Sequence, residues 1–520
     1  MFGGAELLLI TMFYGGIGLP LGVPPAKEDP LMARVAPPDC LYYMTWSGMD
    51  VPDASRGNHT EALLAEPQVQ ALVAAINKQL ETGFAKLSVE SRTEGEKLLA
   101  SMAPTYIRAA LTGSGAVYVS KFAMHRDGPP DVEAALVMNL GDDVDKISAS
   151  LAQLQRIYAR GDVETIELAG TTFHRLPLGA DAPAATWGVK GRYLIVGVGD
   201  NAVAGLLKNA GSEPPKWLAD ARASAGVPRI STLSYANVTA ISASVAKAFG
   251  DGDEAAQALH VIDALGLGAV SNYVSVTGLD DAGFVSRTQV GLEGKPTGVL
   301  ALLDAEGLTD EDLAPIPLDS TIAMAWRLDL QEALGQAEAT AERIDPSAAE
   351  ELREGIDMAS QMLGLDVEQD LLAGLGDAWR VYNSPGEGGL LFTGLTGVVD
   401  VRDHAKAAKA QKQLLALAVA AMRGPDGPDG EGRARPQIKT MQFAGQEIHY
   451  LTGVESMPLA PAWCLTEKHF IVSTFPQNVV AVLSRGDEHQ SLAAHPDVAV
   501  ALKAEARPLL VGYADTQALF

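Results

Sequence analysis

PDCLYYMTW (38–46) and LDSTIAMAW (318–326) carry Asp, Met and Trp in one order, as Asp39, Met44 and Trp46 and again as Asp319, Met324 and Trp326. The coincidence continues downstream. TIELAGTTFH (165–174) returns as TMQFAGQEIH (440–449), followed by Trp187 and Trp463. YLIVGVGDNAVAGLL (193–207) returns as HFIVSTFPQNVVAVL (469–483), and LSYANVTAI (233–241) as LVGYADTQAL (510–519). The separations stay between 275 residues, for His174 and His449, and 280, for Asp39 and Asp319, so the register drifts only by loop lengths. A long fixed period means duplication of one domain-sized unit, because solenoid repeats recur every 20 to 50 residues.

The patterning within each copy sets the fold class. A short strand around the Trp (Leu41–Trp46; Thr321–Leu328) leads into an Ala-rich amphipathic stretch. In the first copy Leu63, Leu64, Val69, Leu72, Val73, Ile76 and Leu80 recur at helical spacing. A strand pair follows, Ala116–Phe122 with Val132–Leu140 and Ala378–Tyr382 with Gly389–Val399, then a helix, Asp142–Tyr158 and Asp403–Met422. Strands around Val163–Leu168, Thr172–Leu176 and Tyr193–Val198 close the pattern. Strands joined by short turns predict an antiparallel sheet. The expected architecture is α+β, two tandem homologous units, each an antiparallel sheet with helices packed on one face. The boundaries expected are a signal-like apolar segment over 1–26, unit one over 34–310 and unit two over 315–520. Residues 251–309 have no second copy, and the chain ends where unit one would continue, so unit two is expected to be incomplete and the chain a fragment.

Composition narrows the function classes. The chain has 520 residues, enough for two large cores, and its 47% hydrophobic content fits a folded protein. A net charge of −26 repels phosphate backbones, so nucleic acid is not an expected partner. Two cysteines, Cys40 and Cys464, at positions the repeat does not match, exclude a disulfide framework and a thiolate metal site. Residues 7–23 are uncharged, a length that suits the apolar region of an export signal and lies at the lower limit for a membrane anchor. An exported, periplasmic or envelope-associated protein is expected, touching membrane only through that segment.

The chemistry-bearing motifs are weak. His174 and His449 occupy equivalent positions, each after an apolar residue on a strand, which places them on the opposite and wetter face. They are the only candidate site residues. Ser244 and Lys247 form S-x-x-K without its companion motifs. Gly197 and Gly199 lack the third glycine of a dinucleotide turn, so Asp200 or Asn201 is expected to cap the next helix. Asp142, Asp143 and Asp145 favour a helix N-terminus, and Trp46, Trp187, Trp326 and Trp463 read as core anchors. GPDGPDGEGRARP (424–436) has the composition of an exposed loop. No cofactor and no metal is expected.

KEDPLMARVAPPDCLYYMTWSG, DVEQDLLAGLGDAWRVYNSPGEGG and AWCLTEKHFIVSTFPQNVVAVL together resemble an uncharacterised family of exported, internally duplicated bacterial proteins of the planctomycete type. Leu375-Gly376-Asp377 matches that family's recurring LGD element. The resemblance implies export and repeat architecture and carries no activity. Two readings follow. The first is a noncatalytic extracytoplasmic binding or structural module of the cell envelope, with a protein or glycan partner and no compact polar cluster in any pocket. The second is a hydrolase-like enzyme with a site between the units, in which His174 or His449 meets a carboxylate.

Overall fold

The computed structural model describes residues 22–125, 128–158, 163–179, 182–249, 253–388, 393–422, 436–453, 459–486, 489–503 and 507–515. The apolar segment preceding residue 22 and the loop over 424–435 lie outside them. Two compact units divide the chain, the first holding 1–259 and 268–294, the second 260–267 and 295–520.

Unit one contains β1 (Tyr42–Trp46), β2 (Gly115–His125), β3 (Gly128–Asn139), β4 (Glu164–Leu168), β5 (Thr171–Leu176), β6 (Ala185–Lys190), β7 (Tyr193–Val198), β8 (Arg229–Asn237), β9 (Val270–Leu279) and β10 (Phe284–Leu292). Its helices are α1 (Pro30–Arg34), α2 (His59–Leu64), α3 (Pro67–Glu90), α4 (Glu94–Thr112), α5 (Val144–Tyr158), α6 (Ala202–Asn209), α7 (Lys216–Ala225) and α8 (Val238–Phe249), and α9 (Asp253–Ala264) follows. Unit two contains β11 (Ile322–Arg327), β12 (Leu375–Asn383), β13 (Leu395–Val401), β14 (Gln437–Phe443), β15 (Gln446–Thr452), β16 (Ala462–Leu465), β17 (His469–Ser473) and β18 (Leu510–Ala514). Its helices are α10 (Asp310–Leu313), α11 (Leu330–Ile344), α12 (Pro346–Leu363), α13 (His404–Met422), α14 (Pro476–Leu483) and α15 (Pro496–Leu502).

The duplication is visible in strand order. The first sheet runs β4-β5-β6-β7-β3-β2-β1-β8-β9-β10 and the second β14-β15-β16-β17-β13-β12-β11-β18. Strands β11 to β18 thus repeat β1 to β8 one for one, all antiparallel. Among the described residues no strand of unit two corresponds to β9 or β10. The fold is therefore α+β in two homologous units, as expected. The strands β6 and β16, which carry Trp187 and Trp463, are additions to the sequence reading.

Alternation along the strands gives the first sheet two buried faces. On one face of the first sheet Tyr43, Tyr118, Val137, Phe173, Ile195 and Leu233 pack with Leu206 of α6 and Leu218 of α7. A fully buried side chain of this size contributes roughly 1.5–3 kcal/mol. The Tyr43 hydroxyl is satisfied by donating to the Met32 carbonyl at 2.8 Å, which fastens α1 to the sheet. The opposite face presents Leu136, Met138, Leu194, Val196 and Trp46 to the longer helices α4 and α5, through Ala109, Ile147 and Leu151. Helices therefore cover both faces of the first sheet, the long ones one face and the short ones the other. Helix α3 forms as its periodicity predicts, yet none of its residues is buried and Leu72, Ile76, Leu80 and Leu87 stand exposed.

Two hairpin turns carry the repeat at atomic detail. Ala169 and Gly170 join β4 to β5, and Ala444 and Gly445 join β14 to β15. All four residues have positive φ, and the two alanines, at 48° and 49°, are the only such non-glycine residues among those described. Positive φ at both central positions is the type I′ arrangement that matches strand twist, and Asn or Gly suits its first position better than Ala. Replacing Ala169 or Ala444 by Asn should therefore stabilise the protein by about 0.5–1 kcal/mol, read as a rise in the urea midpoint at unchanged slope.

Candidate functional site

His174 and His449 sit in matching cross-strand ladders. His174 lies between Thr165 on β4 and Trp187 on β6, and His449 between Thr440 on β14 and Trp463 on β16. The imidazole and indole centroids are 5.9 Å apart in unit one and 5.8 Å in unit two. The histidines lie on the wetter face, as expected. Phe173 and Ile448 beside them are fully buried, whereas His174 is half-buried, His449 is 9% exposed and their ladder partners Thr165 and Thr440 are exposed. The Nδ1 of His174 faces Gln155 Nε2 of α5 at 3.4 Å, whereas that of His449 faces Thr440 Oγ1 at 3.1 Å. A carboxylate approaches neither ring closely. Glu447 Oε1, on an exposed side chain, stays 3.9 Å from His449 Nε2. General acid–base work requires about 2.6–3.2 Å, so neither histidine is arranged for it.

The closest approach of a histidine ring to a buried carboxylate network is elsewhere in unit two. His469 Nε2 lies 3.6 Å from Asp400 Oδ1. Burial lowers the pKa of His469 below its ordinary value, with Asp400 opposing that shift. Asp400 is already held by Arg380, whose Nη1 donates to it. Arg380 is 2% exposed and its Nε also donates to the Asp312 carbonyl. Arg327 Nη2 donates to both oxygens of Asp312 at 3.0 and 2.8 Å, and its Nη1 to Asp377 at 2.6 Å. The LGD element thereby acquires a structural role. Asp377 anchors Arg327, and a Cβ on Gly376 would come within 2.7 Å of the Asp400 Cβ, so only glycine lets the strands approach.

Unit one uses the same corner differently. Asp29 caps α1 by accepting from the Leu31 N–H at 3.1 Å, and its other oxygen accepts from the Tyr193 hydroxyl at 2.9 Å and Asn139 Nδ2 at 3.2 Å. Arg108, Asp143 and Arg192 line the adjoining cleft of about 790 Å3. A polar cluster does converge here, contrary to the binding reading's expectation. Of the carboxylates that line it, Asp29 is engaged in capping and strand contacts, Glu28 is held by Arg222 and Asp143 by Arg108, and no histidine lines it. Among the described residues no three His, Cys, Asp or Glu side chains group as metal ligands.

The remaining motif residues have structural partners. Ser244 donates to the Ala240 carbonyl at 2.9 Å within α8, and the side chain of Lys247 lies outside the described residues. Asn201 takes the N-cap position of α6, as expected, and its carbonyl accepts from the Gly205 N–H at 2.7 Å, though its side chain makes no capping bond. Asp200 pairs with Arg175, while the Asn201 N–H donates to the Glu133 carboxylate at 3.2 Å. Asp143 accepts from Arg108 at 2.8 Å. Both cysteines are free and buried, and burial pushes the Cys464 thiol up to about 11. Trp326 stacks on Trp379 at 6.3 Å, while Trp46 lies over Gly115, where a Cβ would meet the indole at 2.1 Å. Among the described residues no helix is long and apolar enough to cross a membrane.

The concavity that stands out is apolar and was not visible in any motif. In unit two a cleft of about 390 Å3 lies between α13 and the sheet, lined by Leu375, Ala407, Leu414, Trp463, Phe470 and Val472 among others. Its counterpart in unit one is filled. Strand pairing makes Asn139 equivalent to Asp400, since they face Tyr193 and His469. The buried pairs Ile147 with Ser150 and Ala407 with Ala410, each three residues apart, then bring α5 and α13 into register. Ile147 thus becomes Ala407 and Leu151 becomes Gln411. Two aliphatic side chains that close unit one are missing where unit two is open.

The ion network sets an acid limit on unit two. Burial raises the Asp312 pKa, but the hydrogen bonds from Thr309 and Arg327 outweigh it, leaving it below the usual carboxylate value. A depressed folded-state pKa contributes stability above the unfolded value, near 4, that is lost as pH falls through the folded value. Asp312→Asn should cost about 3 kcal/mol at pH 7, since it leaves two guanidinium groups short of an anion, and should shrink the loss of stability between pH 4.5 and 3. Urea unfolding across that range checks both effects. No family model, curated protein or solved structure matches the chain.

Proposed function

We propose that the protein is a noncatalytic extracytoplasmic binding module of the bacterial cell envelope, and that the cleft under α13 receives an uncharged apolar ligand. The observation that carries the reading is the exchange of Ile147 and Leu151 for Ala407 and Gln411 at matching positions of duplicated helices. An unfilled space in a packed interface costs stability in proportion to its volume, so a cleft kept open is offset when a guest occupies it. The volume falls within the range of about 300–1,000 Å3 typical of small-molecule sites. The lining favours the chemistry named. A glycan hydroxyl placed against Leu414, Phe470 and Val472 would lose its water partners, whereas an alkyl chain would lose nothing. Gln411 supplies a polar group in the lining, suited to a terminal hydroxyl or carbonyl. Export rests on the uncharged segment over 7–23 and on the resemblance to exported duplicated proteins.

Thermal unfolding with increasing dodecanol tests the assignment. Ligand that binds only the folded state raises the midpoint by mass action, equivalent to about 2.7 kcal/mol at a hundredfold excess over Kd. The double substitution Ala407→Ile with Gln411→Leu transplants the closed packing of unit one. It should leave the free protein as stable or more so, and abolish the dodecanol shift. An unchanged shift in this variant, or no shift in the native chain, overturns the reading.

A further inference from the structure

We infer that the guest of the cleft under α13 is a single unbranched alkyl chain of about twelve to fourteen carbons, laid along the helix with its polar terminus toward Ala407 and its tail toward Ala418. This rests on the reading of the cleft as an apolar binding site and adds the shape of what fills it. The helix lines the cleft with Ala407, Gln411, Leu414, Leu415 and Ala418. Residues so spaced form one continuous stripe on one helix face, and at about 1.5 Å of rise per residue the stripe is about 16 Å long. The floor gives the same extent independently. It runs from Leu375 on β12 to Trp463 on β16, and strand spacings of about 4.8 Å across β13 and β17 come to about 14 Å. A rounded space of about 390 Å3 would be little more than half as long, so the cleft is a groove.

The two copies show where the length comes from. With Ile147 aligned on Ala407, Tyr158 aligns on Ala418, so each end of the stripe carries alanine where unit one has a large side chain. Between them Leu414 keeps the identity of its counterpart Leu154. Opening both ends lengthens a site without widening it. An extended chain advances about 1.25 Å per carbon, the projection of a bond of about 1.5 Å, so the stripe matches about thirteen carbons. Gln411 sets the direction. A long side chain on a helix covers the turn N-terminal to its own Cα, which puts the amide at the Ala407 end, while the helix lining beyond it is aliphatic.

Equilibrium dialysis of tritiated primary alcohols, hexanol through tetradecanol, against the full chain tests the length. Affinity should rise roughly fourfold with each methylene buried and level off at about twelve to fourteen carbons. Cyclododecanol, whose carbons form a ring too wide for the groove, should bind at least about tenfold more weakly than dodecanol. Ala418→Leu fills the far end with a good helix former, so levelling off should move to about ten carbons while hexanol and octanol bind as before. Equal binding of cyclododecanol and dodecanol overturns the inference and leaves an apolar site of another shape. So does a native profile that levels off below about ten carbons or not at all, or one indifferent to Ala418→Leu. If none of the alcohols binds, the proposed function fails as well. The ring comparison needs no variant and decides alone if Ala418→Leu unfolds unit two.

Discussion

The closing strand of each unit is the constraint on which the rest depends. β1 is hydrogen-bonded to β2 and to β8, nearly two hundred residues further on, and β11 is held in the same way between β12 and β18. Everything between must leave the central strand, build the rest of the sheet and its helices, and return to its other side. Loop-closure entropy opposes such a return. Tyr43, Leu233 and Val276 in unit one, and Ala325 with Val511 in unit two, supply the apolar burial that offsets it. The order of strands is thus conserved between units although few of their residues are.

Duplication leaves each unit free to solve the same packing problem with different chemistry. At the corner where the first helix meets β3 and β7, unit one uses a carboxylate that accepts neutral and backbone donors around Asp29. Unit two places two arginines there and surrounds them with Asp312, Asp377 and Asp400. Breaking a buried ion pair by losing one partner is more damaging than never having built it. Under α13, by contrast, the divergence is one of volume, and it opens space.

Much of this was legible before any coordinates. The long-period repeat anticipated that the two sheets share one plan, since residues that return in sequence must return in the same place on the sheet. The strands expected over Val163–Leu168 and Thr172–Leu176 left only a short turn between them. Other features had no local signal. β6 and β16 are short, and their Trp residues read as anchors without showing what they lie against. That Gln155 of α5 reaches His174 depends on how far the helix extends over the sheet, which residue spacing does not encode. The cleft is invisible in either copy alone, because Ala407 and Gln411 are ordinary helix residues. Only comparison with Ile147 and Leu151 exposes it, and that requires the helix register. The corner ion network was equally hidden, since Asp312, Arg327, Arg380 and Asp400 meet across four separate elements.

The exposed helix α3 has a further consequence. Its 24 residues are held by their own backbone ladder and by neighbouring helices, with no side chain in either core of the unit. Local opening of such a segment does not need the sheet to separate, so its free energy is set by helix propagation rather than by global unfolding. Its amides should therefore exchange with solvent by a route uncoupled from those of β1 and β8, and a protease could cut the segment while the rest of the unit stays folded.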